Sequence, residues 1–184
     1  MDCAVIPRAR SRVALFLFFR YPGLLFLSLL TACHGQPSPP ATCRSVAEAL
    51  AEEAVYAACI VPVGDAILML QRERTLALPS GARGPSESSQ CAAHRAVWQT
   101  TGINVEVRSY LGHWRGDTAV FACQEYASLA RWPNAVTINH NQLIKISPFL
   151  LQHNQLNEPD LLVPLRGYFN QATQALSQPL SGME

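Results

Sequence analysis

His113, Trp114 and Arg115 are consecutive residues whose side chains together suit the binding of a small ligand. An aromatic ring can stack on a base or a sugar, and a guanidinium can hold a phosphate through two hydrogen bonds. The same three residues also fit the amphipathic end of a β-strand, which requires no ligand. Both interpretations stay open, and a small phosphate-containing ligand is the partner expected under the first.

Other kinds of catalytic site have little support. No Gly-x-Ser-x-Gly segment is present for a serine nucleophile, and Gly81-Ala82-Arg83-Gly84 is not followed by the Lys-Ser or Lys-Thr of a phosphate-binding loop. His94 precedes Arg95 in a predicted helix, where we expect it to face solvent. The carboxylates in the second half of the chain lack the spacing of metal ligands: Glu106, Asp117, Glu125, Glu158 and Asp160. Asp117 follows a glycine, which is typical of a turn.

A more specific pattern surrounds that predicted helix. It consists of Gly81, Glu87, Arg95, Val97, Gly102 and Ile103. Together with Leu78-Pro79 and Ala92-Ala93, this spacing resembles the Nudix box and covers about residues 78–103. The resemblance implies an α+β fold, a Nudix-like α/β/α sandwich with a mixed central sheet. It also implies an ion pair between Glu87 and Arg95, an unusual backbone angle at Gly81 and a helix end at Gly102.

The chain departs from the family at the residues that bind metal. Where the Nudix box has three helix glutamates, this sequence has Ala96, Gln99 and Thr100. In active members, carboxylates on this helix face hold Mg²⁺ or Mn²⁺ against a diphosphate, because a hard divalent ion prefers anionic oxygen ligands. Alanine offers no ligand, and glutamine and threonine offer neutral oxygens at most. We therefore predict no metal, no cofactor and no catalytic residue here.

Three functions remain open at this stage. The first is a non-catalytic module that binds a ligand or a protein through a groove beside the loop 79–87 and the helix. The second is a divergent Nudix hydrolase that cleaves a nucleoside diphosphate-type phosphoanhydride with metal ligands from outside the box. The third is a purely structural envelope lipoprotein. Fold analogy alone does not decide among them.

The N-terminal residues have the composition of an export signal. Four arginines precede or interrupt an apolar run, and Leu30-Thr31-Ala32-Cys33 resembles the bacterial lipobox. We predict a lipoprotein signal peptide over 1–32, lipid attachment at Cys33, a tether over 33–43 and a Nudix-like domain over 44–184. His34 after the cysteine implies the outer membrane, facing the periplasm of the cell envelope. The alternative is a transmembrane anchor, but Arg20 and Pro22 interrupt the apolar run.

Cysteine usage agrees with export. Beyond Cys33 the chain has Cys43, Cys59, Cys91 and Cys123, which in an oxidising compartment suggest two disulfides. The sequence does not choose among the three pairings, and four buried thiols are the alternative. A zinc site is not expected, because no Cys-x-x-Cys or Cys/His cluster is present.

Composition limits the remaining classes. The chain has 184 residues, enough for one ordinary domain, and 49% of them are hydrophobic. Its 14 Lys and Arg against 13 Asp and Glu give a formal charge of +1, so no strong positive field attracts nucleic acid. The expected partners are therefore a membrane, through the lipid anchor, and a small ligand or an envelope protein.

The predicted elements supply the frame for these residues. The first half has a helix from Ser45 to about Glu53, strands Val55–Val63 and Ala66–Gln71, a loop over 78–85, and a helix capped by Ser86 or Ser88 that runs to Thr101. The second half has strands Ile103–Tyr110 and Thr118–Tyr126, an irregular stretch Trp132–Asn141, and a helix Leu165–Leu176. Small residues of the middle helix should pack closely on one central sheet.

Overall fold

Two neighbouring strands explain why this chain builds a sheet that is buried on both faces. In the computed structural model, which describes residues 42–46, 54–125, 135–138 and 141–178, β1 (Tyr56–Ile60) pairs in parallel with β7 (Thr118–Glu125). Alternate residues of both strands enter two different core clusters, because successive strand side chains point to opposite faces. Strand β5 (Ser80–Ala82) is antiparallel to β1, and β6 (Val105–Trp114) is antiparallel to β7. The result is a mixed four-stranded sheet.

One helix covers each face of this sheet. Helix α1 (Ser89–Thr101) buries Ala93 and Val97 in the cluster that contains Ala57. Helix α2 (Leu162–Ser177) buries Leu165 and Phe169 in the cluster that contains Ala58. The predicted fold class, an α+β fold with an α/β/α sandwich and a mixed central sheet, is confirmed.

A second sheet lies beside the first, whereas the sequence predicted only one. Strands β2 (Pro62–Val63), β3 (Ala66–Arg72), β4 (Thr75–Ala77), β8 (Ala135–Ile138) and β9 (Asn141–Ile146) form a five-stranded antiparallel sheet. The predicted strand Val55–Val63 is divided at Val61, and its two parts belong to different sheets. Pro62 contributes to this break because it has no N–H to continue the first ladder.

Several predicted boundaries are corrected. Strand β5 lies inside the predicted loop 78–85, and β8 lies inside the stretch Trp132–Asn141 that was expected to be irregular. Strand β6 extends to Trp114 instead of ending at Tyr110 as predicted, so His113 and Trp114 lie at the end of this strand. Helix α2 begins at Leu162, with Pro164 in the first turn, where its missing N–H is tolerated.

The four cysteines of the domain form two disulfides, Cys43–Cys91 and Cys59–Cys123. Cys59 and Cys123 are fully buried between the sheet and α1. Cys43 belongs to the exposed segment 42–46, which adds to the edge of β6: the Val46 N–H donates to Val107 O at 3.0 Å, and the Val107 N–H donates to Arg44 O at 3.0 Å. Ser45, predicted to open a helix, instead bridges to Val107, and residues 47–53 lie outside the described part of the chain.

All described residues belong to one compact unit, Pro39–Glu184. Within them, neither helix has the length and apolar character needed to cross a bilayer. The predicted signal peptide over 1–32, Cys33 and the tether up to residue 41 lie outside the described residues, and they remain predictions.

Candidate ligand-binding site

Helix α1 begins and ends where its capping residues require. The Ser88 hydroxyl accepts a hydrogen bond from the Cys91 N–H at 3.2 Å, which caps the first turn. At the other end Gly102 has a φ of 70°, and its N–H donates to Trp98 O at 2.8 Å. The predicted helix with a glycine stop is therefore present, and it fixes the positions of residues 95–100.

The ion pair implied by the Nudix resemblance is formed. Arg95 donates from Nε to Glu87 Oε1 and from Nη2 to Glu87 Oε2, both at 2.8 Å. The Gly84 N–H donates to the same carboxylate at 2.7 Å, and Arg95 Nη2 also donates to Ala82 O at 2.7 Å. The hydrogen bonds from Arg95 hold the pKa of Glu87 below its ordinary value, although burial acts in the opposite direction. The pair thus braces the loop against α1.

Gly81 has a different role from the one implied by the resemblance. It lies in β5 and is not among the residues with a positive φ, so the expected unusual backbone angle is not present. A Cβ added at Gly81 would lie 3.2 Å from Ala96 Cβ, which is tighter than ordinary contact. Gly81 and Ala96 therefore let the strand and the helix approach each other closely.

The three positions that bind metal in the family hold no anionic oxygen. Ala96 is 3% exposed and is packed under Gly81. Gln99 accepts a hydrogen bond from Arg95 Nη1 at 3.1 Å, and the Thr100 hydroxyl donates to Ala96 O at 2.6 Å. This donor set does not fit Mg²⁺ or Mn²⁺. Among the residues that the structure describes, no group of three His, Cys, Asp or Glu side chains could hold a metal ion.

His94 is buried, so the expectation that it faces solvent is wrong. Its side chain is 1% exposed, and Nε2 lies 3.0 Å from Asn104 Oδ1. The helical repeat gives the reason: His94 lies three residues before Val97, on the face that packs against the sheet. The polar neighbour Arg95 suggested an exposed position, whereas the spacing to Val97 could have indicated a buried one.

A cleft of about 420 Å³ opens on the α2 side of the mixed sheet. Its floor is apolar and is contributed by Ala58, Leu76, Leu78, Val120 and Leu161. Its polar lining comes from Tyr56, Ser80, Trp114, Arg115, Asp117, Thr118, Asn157 and Glu158. This cleft meets the loop 79–87 at Ser80 and includes no residue of α1, so it is a different surface from the groove predicted beside that loop and helix, which stays a prediction.

Two of the three predicted ligand contacts line this cleft. Trp114 and Arg115 do so, whereas His113 does not. The His113 ring is hydrogen-bonded to the Tyr110 hydroxyl, and the backbone carbonyl of His113 accepts a hydrogen bond from the Tyr168 hydroxyl at 3.0 Å. The Arg115 guanidinium carbon lies 4.7 Å from the centre of the Trp114 ring. Arg115 Nη2 also donates to Asp160 Oδ2 at 3.0 Å.

Sequence reasoning missed Tyr56, Ser80, Asn157 and Glu158 as members of one site. Asn157 and Glu158 precede a short 3-10 turn, Pro159–Leu161, which reaches the cleft only through tertiary packing. The Asn157 N–H donates to Leu76 O at 2.9 Å, which fixes this segment against β4. No local sequence signal marks such a contact, because its partners are separated by about eighty residues.

No protein-family model matches the chain, and no curated protein sequence matches it. Solved structures do. A UDP-X diphosphatase aligns with a TM-score of 0.51 and 16% identity over 69% of this chain. The alignment spans 66% of the diphosphatase, which is just under two thirds of its length. An ADP-ribose pyrophosphatase from Streptococcus suis aligns with a TM-score of 0.51 and 16% identity, over 67% of this chain and 94% of its own. A Bacillus subtilis pyrophosphohydrolase aligns with a TM-score of 0.50 and 16% identity, over 69% and 85%. The fold is therefore Nudix-like.

Proposed function

We propose that this chain is a lipid-anchored protein of the bacterial cell envelope whose Nudix-like domain binds a ligand or a protein without catalysing a reaction. The observation that carries the proposal is the chemistry of the helix face at Ala96, Gln99 and Thr100. Ala96 presents only a methyl group, the Gln99 amide oxygen accepts a hydrogen bond from Arg95, and the Thr100 hydroxyl donates to a backbone carbonyl.

Phosphoanhydride cleavage needs positive charge close to the reacting phosphate, which family members obtain from a divalent ion. The carboxylate that the box retains, Glu87, accepts three hydrogen bonds, two from Arg95 and one from Gly84. A metal ion at Glu87 would have to displace the guanidinium that braces the loop. The box therefore supplies shape, and the ligand site is the cleft on the opposite face of the sheet.

The anchoring part of the proposal rests on the lipobox resemblance at Leu30–Cys33. Lipid attachment at Cys33 would place the domain at a membrane, on the periplasmic side of the outer membrane. The two disulfides support export, because such bonds persist in oxidising compartments and are rare in the cytosol. An envelope protein remains the alternative partner of the domain.

The second candidate is a divergent hydrolase of a nucleoside diphosphate-type phosphoanhydride. It is favoured by the names of the similar structures, which are a diphosphatase, a pyrophosphatase and a pyrophosphohydrolase. Asp117 and Glu158 in the cleft are the carboxylates that such an enzyme would use in place of the helix glutamates.

The deciding experiment uses the full chain purified in detergent. It is titrated with Mg²⁺ and Mn²⁺ by calorimetry and assayed against ADP-ribose and a UDP-sugar. We expect neither metal binding nor turnover, because the helix face offers no anionic oxygen. The double variant Gln99→Glu with Thr100→Glu should gain weak metal binding, which shows that the assay detects a restored site. Metal-dependent turnover by the unmodified chain that Asp117→Asn or Glu158→Gln abolishes would overturn the proposal.

A further inference from the structure

The cleft combines an apolar floor with a charged mouth. Each floor residue is at most 7% exposed, so their side chains form a fixed apolar wall: Ala58, Leu76, Leu78, Val120 and Leu161. A volume of about 420 Å³ is within the usual range for small-molecule sites. The floor therefore suits an apolar body of about the size of a substituted aromatic ring.

The mouth of the cleft is negatively charged. Asp117 and Glu158 contribute two carboxylates, and Arg115 contributes one guanidinium. That guanidinium lies against the Trp114 ring and is paired at 3.0 Å with Asp160. Its charge is thus already offset by a carboxylate, and among the described residues that line the cleft, Asp117 and Glu158 leave a net negative charge at the mouth.

This sign bears on the class of ligand. A diphosphate carries at least two negative charges and would enter a negatively charged cleft, and the helix face has no site for a metal ion that would offset them. A cation would be attracted by the same carboxylates, and Tyr56 and Trp114 offer aromatic surface beside them. Ser80 and Asn157 add uncharged polar groups at the rim.

We infer that the cleft binds a small organic cation, with the apolar body of the ligand on the floor and an ammonium group between Asp117 and Glu158. This inference rests on the proposed function, because it names the ligand class of the proposed binding site. The phosphate-containing ligand expected from His113, Trp114 and Arg115 becomes the competing outcome of the test.

The test is a charge series on one molecular body. The full chain in detergent is titrated at pH 7 with 2-phenylethylamine, with neutral 2-phenylethanol, with 3-phenylpropionate and with ADP. The same titrations into detergent buffer without protein provide the blank for partition into detergent, and the double variant Asp117→Asn with Glu158→Gln measures the binding that remains without the two carboxylates. We expect the amine to bind about ten times more tightly than the alcohol, with no binding of the carboxylate or of ADP.

Single variants locate the contact. Glu158→Gln should weaken amine binding by about tenfold and leave alcohol binding unchanged, because it removes charge and keeps shape. Asp65→Asn removes one carboxylate from the distant turn between β2 and β3 and should change neither. The melting temperature of each variant should match that of the unmodified chain, which excludes loss of folding as the cause.

The inference is overturned if the amine does not bind, if its affinity is insensitive to both cleft carboxylates, or if ADP binds as tightly. These outcomes differ from failure of the proposed function. Binding of ADP without turnover would overturn the ligand class alone, whereas metal-dependent hydrolysis would overturn the non-catalytic proposal.

Discussion

At the scale of single residues, the loop and helix around Glu87 are held together by hydrogen bonds that leave this carboxylate little capacity to bind an ion. The Glu87 carboxylate accepts hydrogen bonds from Nε and Nη2 of Arg95 and from the Gly84 N–H. Arg83 adds a further brace, since its Nε donates to Ala54 O at 2.9 Å and its Nη1 donates to Glu87 O at 3.0 Å. The shape of the loop thus depends on charge pairing inside the protein, and substitution of Glu87 should lower the stability of the domain.

Glu87→Gln should lower the free energy of unfolding by about 1–2 kcal/mol at pH 7, because two charge-assisted hydrogen bonds are weakened in a partly buried pair. The pKa of Glu87 is lowered in the folded state, so its contribution is present above about pH 4.3 and is lost as the pH falls through the folded pKa. Urea unfolding at pH 7 and pH 3 should show the difference between the variant and the unmodified chain shrinking at the lower pH.

The control for this measurement is Glu73→Gln, which removes the same charge from the exposed turn between β3 and β4. It should change stability by less than about 0.5 kcal/mol. A difference for Glu87→Gln that stays constant between pH 7 and pH 3 would contradict the assigned role of the pair.

At the scale of elements, α1 is tied to the chain ahead of it by a covalent bond. Cys91 lies in the first turn of α1, and Cys43 lies in the exposed segment that adds to the edge of β6. The other disulfide, Cys59–Cys123, joins two strands inside the core, where both cysteines are fully buried. A reductant should therefore reach the Cys43–Cys91 disulfide more easily than the Cys59–Cys123 disulfide.

Under mild reduction of the native chain, Cys43 and Cys91 should be alkylated before Cys59 and Cys123, because exposed bonds need no unfolding to react. Mass spectrometry after stepwise reduction and thiol labelling measures the order. Without reductant, no thiol among these four cysteines should be labelled. Simultaneous labelling of all four would contradict the assignment of one exposed and one buried bond.

The helices and strands also differ in how well the sequence predicts them. Helix α1, its Ser88 cap and its Gly102 stop were predictable, because capping signals are local. The short strands β5 and β8 were not, because three or four residues carry too weak a pattern without their partners. Disulfide pairing was not predictable either, because it depends on which elements become neighbours.

At the scale of the whole molecule, helix α1, with Ala96, Gln99 and Thr100, and the cleft lie on opposite faces of one sheet. Alternate residues of β1 explain this: Ala57 enters the cluster under α1, and Ala58 enters the cluster that borders the cleft. The Nudix-like fold could be predicted from the box, whereas the cleft could not, because Glu158 and Asn157 reach it from a distant part of the chain. A ligand in the cleft therefore lies on the face of the sheet away from α1.

The anchoring proposal is tested on the same scale by Cys33→Ser. In a bacterial host, the unmodified chain should incorporate a labelled fatty acid and lose residues 1–32, as the lipobox resemblance implies. Cys33→Ser should do neither, and Cys3→Ser should do both as the matched control. Intact mass spectrometry and fatty-acid labelling measure these outcomes. A chain of full mass without acyl groups would contradict the proposal and favour a membrane-spanning anchor.

The covalent bond at Cys43 has a mechanical consequence. A force that pulls on the chain ahead of residue 43 reaches the domain first at this bond, which transmits it directly to α1. Without the bond, the same pull would act on the edge pairing at Val107 and could detach residues 44–46 one hydrogen bond at a time. With it, the force is transmitted to a helix that is packed along its length against the sheet. Tension on the chain then does not break the pairing of residues 44–46 first.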